Sequence, residues 1–176
     1  MSKSYLIEIL KERYEHEQFR RNNFDNVINV PITILGLLIG GFSAFAFQDE
    51  QSWGFLKFGA LICVGTIGLS IFFLIRVFYG AKRKYGVLPT AQVVKEQYEK
   101  LMAYHRELAP TASNDDLQKQ VEIYFNDDLI KWYADSCDAN CDINDRRAEF
   151  LHMAKFWLIM SLILTFILVT FKIIFL

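Results

Sequence analysis

Hydrophobic and polar residues separate into blocks along this chain instead of mixing. Val27 to Phe47 carries no charge. Phe58 to Tyr79 carries one, Arg76, near its end, and Ala154 to Leu176 has Lys155 and Lys172 near its two ends. A helix rises about 1.5 Å per residue, so about 20 apolar residues cross a hydrocarbon core of about 30 Å. The blocks therefore predict transmembrane helices over 27–47, 58–79 and 154–176, the first two forming a hairpin within 27–79. Residues 1–26 read as a charged amphipathic helix, and 80–153 as a helical segment outside the bilayer. The expected fold class is all-α: an integral membrane protein with three transmembrane helices and a small helical cytoplasmic segment.

The polar segment supplies its own punctuation. Thr90 after Pro89 is an N-cap signal and Pro110 a stop, which predicts a helix near 91–108 with a stripe of Val94, Tyr98, Leu101 and Leu108. Ser113 or Asn114 caps the next helix, whose first turn holds Asp115 and Asp116 where the helix dipole favours acids. Its stripe is Leu117, Val121, Phe125, Leu129 and Trp132, and the two stripes are expected to pack as an antiparallel pair. No Gly or Pro interrupts Asp135 to Trp157, so one helix is expected to run from this segment into the third span. Pro31, near the start of the first span, is tolerable in a first turn and otherwise kinks it.

Charge orients the spans. Lys11, Arg13, Arg20 and Arg21 precede the first, Lys82, Arg83 and Lys84 follow the second, and Arg146 and Arg147 precede the third. The short connection "QDEQSW" has two acids and no base. Basic loops stay in the cytoplasm, so the N-terminus is expected inside and the C-terminus outside. The N-terminal sequence lacks the apolar core of a signal peptide. At 53% hydrophobic residues and a net charge of −1, the chain is not expected to bind nucleic acid directly through bulk charge.

Catalytic and metal signals are sparse. Cys137 and Cys141 share a helix face with His152 further on, short of the four ligands of a zinc site, and read as ordinary helix thiols. Asp135, Asp138, Asp142 and Asp145 read as a solvated face. There is no phosphate-binding glycine loop, GxSxG or HExxH. No enzyme activity and no cofactor or metal is expected.

Two patterns stand out at the edges of the apolar blocks. Asn22, Asn26 and Asn29 share a face before the first span, as do Asn140, Asn144 and Arg147 before the third. Buried amides need partners, so the stripes, with Arg20 and Arg21, are expected to line or latch a cytoplasmic neck, with Asp25 pairing Arg147 or Arg146. The plainer reading is a structural clamp. Gly36, Gly40 and Ala44 recur every four residues, a pattern that permits close helix approach in lipid. It serves either assembly of subunits or packing of the hairpin within one chain. Arg76 is a conduit or gate charge, or a side chain that snorkels to the headgroups.

The charged helix "ERYEHEQFRRNN" leading into closely spaced spans, with "RRNN" the most specific stretch, resembles the SLATT-type small membrane effectors of nucleotide-signalled bacterial antiphage systems. The resemblance covers mainly residues 1–85; the third span and the lack of a fused sensor depart from it. It implies a homo-oligomer that perturbs or permeabilises the inner membrane in antiphage defence when a cytoplasmic sensor partner fires. The alternative is a non-pore membrane adaptor that recruits a cytoplasmic protein through helices 91–133.

Overall fold

A computed structural model describes residues 2–46, 54–79 and 84–175, with side chains over 2–42, 57–78 and 84–174. The connection "QDEQSW", Lys82, Arg83 and the side chain of Ala44 lie outside the described residues. The regular structure is helical: α1 Lys3–Val27, α2 Asn29–Ala46, α3 Gly54–Tyr79, α4 Ala91–Leu108 and α5 Asn114–Phe175. Among the described residues, three stretches are long and apolar enough to cross a membrane: Lys3–Phe42, Lys57–Phe78 and Asn114–Ile174. The chain divides into two compact units, residues 1–20 with 84–143, and 21–83 with 144–176.

Ile28 separates α1 from α2. Proline lacks the N–H that Pro31 would need to bond the Val27 carbonyl four residues back, and the ladder loosens there. Ile28 N still donates to Phe24 O at 3.2 Å, and Ile32 N to Ile28 O at 3.3 Å, so the interruption is local. By contrast α5 runs without a break for 62 residues, because no helix-breaking residue falls within it.

In the first unit, α4 and α5 pack antiparallel. Tyr98 meets Phe125 edge-on at 5.5 Å, Gln97 Nε2 donates to Asp128 Oδ2 at 2.8 Å, and Arg106 Nη2 donates to Asn114 Oδ1 at 2.8 Å. Leu117 and Val121 are buried. One position departs from the expected stripe: Leu108 is exposed, and His105 is buried in its place against Tyr124 at 4.9 Å. The spacing 94, 98, 101, 105 continues one face, whereas Leu108 ends the helix beyond it. Thr90 has the extended backbone of an N-cap but makes no side-chain cap bond. Ser113 does cap α5: Asp116 N donates to its Oγ at 3.2 Å, and that Oγ donates to Asp116 Oδ2 at 2.7 Å. Along α1, Lys3 pairs with Asp127 at 2.7 Å and Tyr14 meets Tyr133 edge-on at 6.0 Å.

In the second unit, α2, α3 and the end of α5 share a core of Ile28, Leu35, Ile67, Leu74, Val77, Leu151, Ala154 and Leu158. Phe42, Cys63 and Leu168 form a smaller cluster. Small residues let α3 and α5 approach. A Cβ on Gly59 would stand 2.6 Å from Leu168 Cδ2, and Ser70 Oγ donates across to Ala154 O at 2.9 Å. Thr66 and Ser161 satisfy their hydroxyls on their own helices, at Cys63 O and Leu158 O, as polar groups at membrane depth must.

Candidate functional site

The expected polar residues divide between the two units. Arg20 and Asn140 belong to the first; Arg21, Asn22, Asn26, Asn29, Asn144 and Arg147 belong to the second.

In the second unit the α5 members turn inward. Asn144 is fully buried and Arg147 is 5% exposed. The Arg147 guanidinium makes a short ion pair with Asp25 and lies 5.3 Å from the Phe24 ring centroid. This is the pairing expected from sequence, and it fixes the end of α1 to α5. Asn22, Asn26 and Asn29 are exposed and Arg21 is half-buried. Their exposure suits side chains that line a surface more than ones latched within the chain.

In the first unit Arg20 is committed locally. Its Nη1 donates to both carboxylate oxygens of Glu17, at 3.0 and 3.1 Å. Glu17 is 4% exposed, a buried acid that sequence reasoning missed. The i, i+3 charge pair was visible; nothing in the pattern marked that turn as covered. Asn140, 1% exposed, donates from Nδ2 to the carbonyl of Gly86 at 3.1 Å. Gly86 was also missed, because it lies in a stretch without regular secondary structure or periodicity.

Cys137 and Cys141 share a helix face but are chemically unequal. Cys137 is buried and its Sγ donates to Leu10 O at 3.5 Å, whereas Cys141 is half-buried. Burial pushes the Cys137 thiol up. Arg13 pulls it partly back, and Asp138, Glu17 and Cys141 push it further. Among the described residues no three His, Cys, Asp or Glu side chains gather as metal ligands.

Along the α2 span, Ile28, Leu35 and Phe42 face inward, and Gly36 and Gly40 do not. A Cβ on either glycine would meet nothing within 4 Å, so close hairpin packing within the chain does not use them. Beside Gly36 runs a groove of about 340 Å³ lined by Ile32 and Ile39 of α2 and Ile71, Ile75 and Phe78 of α3. It offers no polar group to orient a small ligand. Arg76 is exposed, with its guanidinium 5.3 Å from the Phe72 ring centroid.

No curated protein and no solved structure matches the chain. A family of effector domains does match, from residue 16 to residue 174, and so takes in the third span that the resemblance over 1–85 left aside. Together with three helices able to span a bilayer, this match makes the chain an antiphage membrane effector of cyclic-nucleotide signalling: it belongs to PycTM, the Pycsar effector protein domain family.

Proposed function

We propose that this effector is an inner-membrane homo-oligomer, SLATT-like in its entry helix, that permeabilises the membrane when a separate cytoplasmic nucleotide sensor fires. The observation that carries the reading is the open face of Gly36 and Gly40 on a span, beside an apolar groove. In lipid, helices associate through close packing at small residues, since the tails are as apolar as the helices. An uncovered glycine face is therefore suited to a neighbouring subunit's helix. The charge distribution supports an N-terminus inside and a C-terminus in the periplasm. Asn22, Asn26 and Asn29 would line the cytoplasmic mouth of the assembly, and Arg76 would act as conduit or gate charge. Catalysis has no part in this reading.

Entry of a membrane-impermeant dye into cells carrying the whole defence system, followed during phage infection, tests it. Wild type is expected to admit dye after infection, and Asn26→Leu, at an exposed position, to block entry while still inserting. Protected cells that exclude dye throughout would overturn the reading. The adaptor alternative draws on exposed Tyr104, Leu108, Ile123 and Tyr124 on α4 and α5. It predicts protection without dye entry, and a soluble protein that co-purifies with the chain only while 91–133 is present.

A further inference from the structure

Within the second unit, three contacts set the register of α3 against the end of α5. A Cβ on Gly59 would meet Leu168, Ser70 Oγ donates to Ala154 O at 2.9 Å, and the Phe73 and Phe150 rings stack at 6.4 Å. The two helices therefore run antiparallel, and Arg76 comes level with the residue two before Glu149. At about 1.5 Å of rise per residue, Arg76 and Glu149 stand within about 3 Å of the same height. They lie on different faces of the unit. Glu149 and Phe156 are exposed and sit about 180° around α5 from the buried Leu158. Ile163 and Ile167, also exposed, continue that ridge. Arg76 is exposed on α3 beside Ile75 and near Phe78, which line the apolar groove next to Gly36.

We propose that the α5 ridge of one copy seats in the α2–α3 groove of the next, with Glu149 paired to the neighbour's Arg76. Copies inserted the same way around an axis normal to the bilayer keep equal heights, so acid and base meet without a shift in depth. Phe156 lies about 10 Å further along the ridge and Ile71 about 7 Å further along the groove. Helical side chains lean toward the N-terminus, which brings the Phe156 ring back toward Ile71. A second copy is the occupant because lipid tails have no acid to match Arg76, whereas this chain carries one at the required height. Ridge and groove are different faces, so the contact is head-to-tail and repeats into a ring instead of stopping at a dimer. The inference rests on the homo-oligomer proposed above and names its interface. It also places the gate charge Arg76 at the seam between copies, held by the neighbour's acid.

Native mass spectrometry of the full chain in nanodiscs, prepared from infected cells that carry the whole system, tests the interface. Arg76→Glu and Glu149→Arg, each expressed alone, set like charges against each other and should lower the share of assemblies of four or more about tenfold. Co-expressed as two separate chains, they should restore assemblies containing equal numbers of each, because every variant charge then meets its complement in the other chain. Single variants that assemble as the wild type does overturn the interface and leave the homo-oligomer standing. A mixture that assembles no better than either variant alone does the same. Phe156→Ala, at an exposed position, decides the matter if the charge variants fail to insert: a similar loss of assemblies supports the ridge, and assembly like the wild type overturns it. A wild type that stays monomeric or dimeric in triggered cells overturns both the interface and the homo-oligomer.

Discussion

At the scale of single residues, Arg147 carries the largest electrostatic stake. It is buried while Asp25 is half-exposed, so loss of the carboxylate removes a charged partner from a cation that is largely shielded from water. Asp25→Ala should cost about 2 kcal/mol, within the range for a hydrogen bond to a charged group, whereas Asp25→Ala with Arg147→Leu should recover most of it. Thermal unfolding in mild detergent reads both, and a double variant as unstable as the single one would contradict the pairing. The two nearby thiols offer a second test. Burial keeps Cys137 protonated above the pH at which a free thiol ionises, and the thiolate is the reactive form. Maleimide at neutral pH should therefore modify half-exposed Cys141 well before Cys137; equal rates would place Cys137 at the surface. The Asp25–Arg147 pair was legible in sequence because its members face each other across two membrane edges. Glu17 and Asn140 were not, since burial of a polar residue depends on which neighbour covers it, and charge spacing does not report that.

At the scale of elements, the glycines of the spans separate into two kinds. Gly59 meets Leu168 within the chain, and Gly36 faces open space. Gly59→Leu should lower the unfolding temperature of the detergent-solubilised chain, because the side chain must displace Leu168 and part α3 from α5. Gly36→Leu should leave that temperature nearly unchanged and reduce association between chains. A large stability loss from Gly36→Leu would mean that its face is packed within the chain. Sequence alone left both uses open for the small residues of the spans, because small-residue spacing records that a close approach is allowed and not which helix makes it. The helices themselves were easier to read. The Thr90 and Pro110 signals marked out 91–108, the lack of Gly and Pro over 135–157 marked the run of α5 into the third span, and Pro31 marked the interruption at Ile28. Leu108 misled because the stripe was extended one turn past the last packed position, which is His105.

At the scale of the whole molecule, three helices able to span a bilayer and a helical polar unit follow from the block pattern, since length and apolarity suffice to identify a span. The contact at Gly86 did not follow, because "YGVLPT" has neither helical nor strand period and its partner Asn140 lies 54 residues away in α5. Function is governed by the same limit. Three spans per chain do not enclose an aqueous path, so an effector that permeabilises the membrane needs several chains. The most direct test is native mass spectrometry of the chain in nanodiscs, prepared from infected cells that carry the whole system. The account predicts a closed assembly of four or more copies, reduced to smaller species by Gly36→Leu. A monomer or dimer from those triggered cells, unaffected by Gly36→Leu, would contradict it.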